Sequence, residues 1–261
     1  MPLLLLLLLY ATGAFRRGHF ASLRWRHTSF ACGWLSLFFA LASPLHELGE
    51  QLFSAHMLQH EVLILISAPL ISASQPSATC LWAFAASGRS EVGRRMHSLE
   101  RLAWIRLLSG PLAAWLLEAA ALWLWHIPVL YQATLNSDWA HAAQHLCFLL
   151  TAVLFWSALY GVGRSTMGYG RAICYVFGTA AHCSALGALL TFSTVLWYPA
   201  YLHTTTAWGL TPLQDQQLGG VLMWVPSGFV FIAIGLALLA RWLQEAEYRS
   251  RLGILNSVLR K

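Results

Sequence analysis

The stretch SAHMLQHEVLIL, residues 54–65, carries two histidines and a glutamate at the head of an apolar run. The run continues through ISAPLISA, so positions 52–73 are long and apolar enough to cross a bilayer core, which takes about 20 residues. Ionisable groups inside such a span are costly and usually mark function. The stretch therefore predicts a transmembrane helix whose first turns, at His56, His60 and Glu61, carry chemistry.

The rest of the chain agrees. Of 261 residues, 58% are hydrophobic and 10% charged, with thirteen tryptophans. Soluble domains are about a quarter charged, so this composition predicts an all-α polytopic membrane bundle forming one integral membrane domain over 1–261. The net charge of +6 is not gathered into one patch; basic residues fall in short clusters between apolar runs, which excludes nucleic-acid binding. Five cysteines (Cys32, Cys80, Cys147, Cys174, Cys183) contain no CxxC pair, so neither a disulfide framework nor a zinc ribbon follows. The opening MPLLLLLLLYATGAF lacks a basic region before its leucines and a good cleavage site. It reads as a short retained span, or one whose true start lies upstream.

Seven spans are expected, at about 2–15, 29–45, 52–73, 105–126, 138–160, 171–194 and 218–243. Arg89 to Arg106 reads as an amphipathic surface helix. Charge alternates with the loops. Loop one holds Arg16, Arg17, Arg24 and Arg26, and loop three Arg89, Arg94, Arg95 and Arg101. Loop five holds Arg164 and Arg171, and the tail Arg241, Arg249, Arg251, Arg260 and Lys261. Loops two, four and six hold only the acids Glu47, Glu50, Asp138 and Asp215. By the positive-inside rule the N-terminus is periplasmic and the C-terminus cytoplasmic.

On that topology His19, His27 and His97 lie in basic cytoplasmic loops. The other eight (His46, His56, His60, His126, His141, His145, His182 and His203) lie in outer loops or on segments starting or ending at the outer side. His182 is the deepest, roughly 18 Å below the outer end of its span. Two pairs, HMLQH at 56–60 and HAAQH at 141–145, have i, i+4 spacing, so each presents two imidazoles on one helix face. His126, in WHIP, ends the fourth span at the same surface. Four imidazoles at matched depth predict ligation of a metal or of haem, against the alternative of an interhelical hydrogen-bond network. All-imidazole sites suit copper, zinc, iron and nickel; a thioether such as Met57 would favour reduced copper.

Glu61 and Glu118 are further buried charges. Glu118 lies two turns before His126 on the same face, roughly 12 Å deeper. It could orient a ligating imidazole or hold a neighbouring helix as a protonated acid. Asp215 is expected to cap the seventh helix, with direct metal contact the lesser option, and Gln216 and Gln217 to open that span as interfacial polar groups.

SPLHELGEQLFSAHMLQHEVLILISAPL, WHIPVLYQATL, DWAHAAQHLCFLLTAVLFW, GALLTFSTVLWYPAY and GLTPLQDQQLGGVLMWVP, in that order, resemble the CtaG-type membrane proteins, which are cytochrome c oxidase assembly factors. The resemblance covers Trp34 to Trp242. It implies a seven-span protein of the bacterial inner membrane that helps form the copper centre of the oxidase's catalytic subunit. That subunit and periplasmic copper chaperones are the implied partners, beside the lipid bilayer. By matching motifs, His56, His60, His126, His141, His145 and Asp215 are implied metal-site residues. His46, Met57, Glu61, Glu118, His182 and His203 are further candidates as ligands or supporting groups. An unrelated single-span copper chaperone shares the family name, but seven spans and the lack of a CxxxC motif set this sequence apart from it.

The expected function is thus copper binding at a periplasm-facing histidine cluster during oxidase assembly. Two alternatives stand beside it. A haem b electron carrier would place its ligands in both leaflets, whereas these crowd one. A copper permease would need polar residues in the cytoplasmic half, and no polar run reaches it. No nucleophile with base and orienter, phosphate loop or catalytic carboxylate pair is present, so no enzyme activity is expected.

Overall fold

The computed structural model describes residues 2–18, 23–100, 102, 110–161 and 167–259, and among these the chain is helical with no strand. His19, Arg101, Arg106, Arg164, Arg260 and Lys261, with 105–109 of the expected fourth span, lie outside the described residues. In order the helices are α1 (Pro2–Arg17), α2 (Arg24–Ala42), α3 (Pro44–Gln51), α4 (Phe53–Glu61), α5 (Ala68–Ser74), α6 (Pro76–Cys80) and α7 (Ala86–Glu100). Then follow α8 (Pro111–Trp125), α9 (Pro128–Asn136), α10 (Asp138–Leu159), α11 (Tyr169–Thr191) and α12 (Pro212–Leu259).

Phe53–Ser74, Asp138–Leu159, Tyr169–Thr191 and Pro212–Leu252 are long and apolar enough to cross a membrane. Two further pairs qualify if each is one bent span: α2 with α3, bent by 45°, and α8 with α9, bent by 75°. The described residues thus supply four to six such spans where the sequence predicts seven. The difference is α1, whose 16 residues rise about 24 Å against a hydrocarbon core of about 30 Å.

Local sequence explains the breaks. Ser43 caps α3 by accepting from the Leu45 N–H, with Pro44 at the first helical position. At the second bend His126 is the C-terminal cap of α8, and Pro128 opens α9. Between α4 and α5 the chain widens into a π-helix, Val62–Ser67. In a π ladder the partner of the Ile64 carbonyl would be Pro69, which has no N–H. The Trp156 indole N–H on α10 donates to that carbonyl instead, at 2.8 Å.

The bundle is apolar outside and polar within. On α10 Leu146, Leu150 and Leu154 face outward, while His141, Gln144, His145, Phe148, Ala152 and Phe155 are buried. Close packing needs glycine. A Cβ on Gly219 would lie 2.3 Å from the Phe53 ring, and one on Gly220 2.6 Å from the Thr191 nitrogen. These two glycines let α12 press against α4 and α11. One apolar tier, including Phe53, Met57, Leu122, Tyr131 and Phe148, adjoins the histidines. A second, around Phe155, Trp156, Tyr175 and Phe231, fills the other end. The expected surface helix is borne out over the described residues of α7, where exposed Glu91 pairs with Arg94 and Arg95.

Candidate metal centre

The i, i+4 spacing places His56 over His60 on α4 and His141 over His145 on α10, with ring centroids 4.4 and 4.3 Å apart. The two helices bring the pairs together. His56 stacks on His141 at 4.9 Å, and His60 meets His145 at 5.3 Å. One ligand atom each from His56, His141 and His145 fall within 4.8 Å of one another. His126, at the end of α8, lies 6.2 Å from His60. His46, on α3, stacks on His141 at 5.0 Å, so the bent element adds a sixth imidazole. His56 is fully buried, and His60, His126, His141 and His145 are each buried as well.

Hydrogen bonds orient these rings and leave nitrogens over. His56 Nε2 meets Gln144 Oε1 at 3.2 Å. With that nitrogen donating, His56 Nδ1 keeps its lone pair; the Gly49 backbone lies beside the ring, but no properly directed partner meets Nδ1 among the described residues. His60 Nδ1 and Nε2, His141 Nε2 and His145 Nε2 likewise lack a hydrogen-bond partner among the described residues. Buried polar atoms are normally satisfied, and these five imidazole nitrogens, of which a neutral His60 offers only one lone pair, form a group able to take up a further partner.

His126 specifies more. Its Nδ1 lies 2.6 Å from the Leu122 carbonyl, which can only accept, so Nδ1 carries the proton in the neutral ring. Its Nε2 then presents a lone pair to Met57 Sδ, 3.4 Å away, which has no hydrogen to give. Two facing electron pairs, one of them a thioether, suit a soft cation.

Asp215 sits elsewhere than expected. It is fully buried, but it caps α4 rather than its own helix. One oxygen accepts from the Phe53 N–H at 2.6 Å; the other accepts from the Ser54 N–H at 3.1 Å and the Ser54 hydroxyl at 2.5 Å. A negative charge at a helix N-terminus is favourable, and here it anchors the turn that precedes His56. Gln216 and Gln217 do not merely line an interface: both brace the 193–197 loop, Gln216 through the Trp197 N–H and Val195 carbonyl and Gln217 through the Ser193 carbonyl.

The other candidates separate. His203 is exposed, and no ring contact joins it to the cluster among the described residues. Cys147 packs against the apolar tier. Glu118 and His182 face each other deeper in the bundle, at 3.4 Å, with Glu61 near them across a small cavity. Sequence reasoning passed over two residues, Gln59 and Gln144. Gln59 donates to the Ala40 carbonyl at 2.7 Å and meets His46 Nδ1 at 3.2 Å. The signal was present, since both pairs read H-x-x-Q-H. Tyr131 and Tyr201 also escaped notice. Their hydroxyls meet at 2.8 Å, and Tyr201 donates to the Gly49 carbonyl, tying the 199–201 loop over the cluster. Burial pushes the Tyr201 and Tyr198 phenols up, so both stay neutral donors.

The family model of the cytochrome c oxidase caa3 assembly factor matches residues 6–245. The chain belongs to this family. Similar proteins include uncharacterized protein Mb0105 of Mycobacterium bovis and MT0111 of Mycobacterium tuberculosis, each 26% identical over 243 residues. Those alignments take in 87% of this chain and 36% of each relative. Uncharacterized protein ML1998 of Mycobacterium leprae is 24% identical over 84% of this chain and 34% of its own length. The chain therefore spans about a third of the length of the curated relatives it matches. No solved structure matches it.

Proposed function

We propose that this assembly factor receives copper at the buried histidine cluster and presents it to the catalytic subunit of cytochrome c oxidase. The observation that carries the reading is that His56, His141 and His145 each bring a ring nitrogen within 4.8 Å of the others, with all three side chains buried and each ring keeping a nitrogen without a hydrogen-bond partner among the described residues. His60 and His126 widen the donor set, with His46 at its edge. The pairing of His126 Nε2 with Met57 Sδ supports copper in its reduced state over harder ions. Copper is cargo here, so a ligand set larger than one ion needs is useful: neighbouring imidazoles allow stepwise ligand exchange.

The arrangement favours a bare ion over haem b. His56 and His141 are stacked face to face at 4.9 Å, whereas axial imidazoles aim their nitrogens at each other across an intervening macrocycle. A bis-histidine haem would require those helices to separate.

The alternating arginines support a seven-span orientation with α1 counted as a shallow span, placing the cluster on the periplasmic side of the bacterial inner membrane. Periplasmic copper chaperones are then the natural donors, and no chemical turnover is involved. The experiment is a deletion strain grown under scarce copper. The oxidase should retain haem but lack its copper centre, and the wild-type gene, but not the His56→Ala/His60→Ala form, should restore it. Fully copper-loaded oxidase in the deletion strain would end the proposal.

A further inference from the structure

A second group of donors lies two helical turns below the histidine cluster and differs from it in chemistry. We infer that Glu118, His182 and Cys183 form a separate site for a borderline-soft divalent cation of the zinc class, independent of copper handling at the histidine cluster. One ligand atom each from a carboxylate, an imidazole and a thiol fall within 4.8 Å of one another. His182 Nε2 is 3.4 Å from Glu118 Oε2, and Cys183 Sγ is 3.8 Å from the other ring nitrogen, Nδ1, so the ring would ligate through one of the two.

The neighbourhood is built to hold these groups. Trp115, one turn before Glu118, donates from its indole to Thr179, one turn before His182 and Cys183, at 3.0 Å. The same indole packs on Gly178 and edge-on against His182. These contacts fix the register of α8 against α11 and so bring the three donors level. Glu118 is 5% exposed, and its Oε2 and His182 Nε2 lack a properly directed hydrogen-bond partner among the described residues. A cavity of about 20 Å³ adjoins the group, lined by Glu61, Glu118, Cys183, Met223 and Ser227 among others. That volume admits one water. The cavity borders Glu118 and Cys183, two of the three ligands, and offers the water-sized open position of a zinc-type site beside them.

Charge selects the ion. A carboxylate and a thiolate side by side in a membrane interior are costly unless neutralised. With Glu61 across the cavity in its neutral acid form, a divalent cation with the Glu118 carboxylate, the Cys183 thiolate and a neutral His182 gives a net charge of zero, whereas a cuprous ion leaves one negative charge. Binding releases the thiol proton to solvent, and no redox change is involved.

Cobalt(II) is the probe, because a thiolate ligand gives it an intense charge-transfer absorption that imidazole, carboxylate and thioether ligands do not. The full-length detergent-purified protein should show this band, saturating at one equivalent, and the His56→Ala/His60→Ala variant should show it undiminished. Cys183→Ser should abolish the band while eluting as the wild type does. Glu118→Gln, which keeps the side-chain shape, should weaken cobalt binding about tenfold or more. Zinc should displace cobalt and protect Cys183 of the wild type from alkylation. Absence of the band from the wild type, or a band that survives Cys183→Ser, overturns the inference. Loss of copper binding in the histidine variant with the cobalt band intact would separate the two sites.

Discussion

Replacing Asp215 by alanine removes the acceptor for three donors at the head of α4: the N–H groups of Phe53 and Ser54 and the Ser54 hydroxyl. Asp215 is fully buried, so bulk water does not reach these donors. An exposed helix cap is worth about 1 kcal/mol, and each buried donor left unsatisfied costs about 1–3 kcal/mol. The terms are not additive, and partial fraying of the first turn relieves some of them, so we expect a loss of about 3–5 kcal/mol. For a protein of this size, about 2–4 °C per kcal/mol translates to a Tm lower by roughly 6–20 °C. Scanning fluorimetry in detergent reads this directly. Copper affinity should fall in parallel, since His56 sits in the turn that the cap anchors. Ser54→Ala, which removes only the hydroxyl, should show a smaller shift. If Asp215→Ala abolished metal binding while leaving Tm unchanged, Asp215 would be a ligand and the capping account would be wrong.

Other residues test other links. Gln144→Leu should weaken copper binding about 10–100-fold with a small effect on Tm, because it frees His56 Nε2 and with it the tautomer that leaves Nδ1 available; unchanged affinity by competition titration would remove Gln144 from the site. Gly219→Ala places a methyl 2.3 Å from the Phe53 ring and should cost about 1–3 kcal/mol, read as a lower Tm; a neutral result would mean α4 and α12 are not so tightly apposed. His203→Ala should leave copper stoichiometry unchanged, since His203 is exposed and outside the cluster; a lost equivalent would show that the 199–208 loop supplies a ligand.

What the sequence made legible was local. The i, i+4 histidine pairs could be placed on helix faces before any fold was known, because four residues make one turn. WHIP marked the end of the fourth span at His126, and the structure ends α8 there and opens α9 at Pro128. Tertiary relations were less accessible. His46 joins the cluster because α3, set at 45° to α2, lies against α4; Ser43 and Pro44 mark that break in the sequence, but not the direction it takes. Asp215 carries the pattern of a cap for its own helix, yet the helix it caps begins 162 residues earlier. The length of a span was legible only as an average: α1 is apolar up to Phe15 and ends in two arginines, too short for a full crossing, while α12 runs far past its expected end. The π segment could have been anticipated from Pro69, but its stabilising donor, Trp156, is 92 residues away.

The central claim is that the imidazoles of α4 and α10 form one copper site. Metal analysis and an optical spectrum of a single detergent-purified sample, beside the His56→Ala/His60→Ala variant, test it most directly. The account predicts near-stoichiometric copper without a Soret band in the wild type, and loss of that copper in the variant. A Soret band that disappears in the variant, or no copper in the wild type even after loading with cuprous ion, would contradict it.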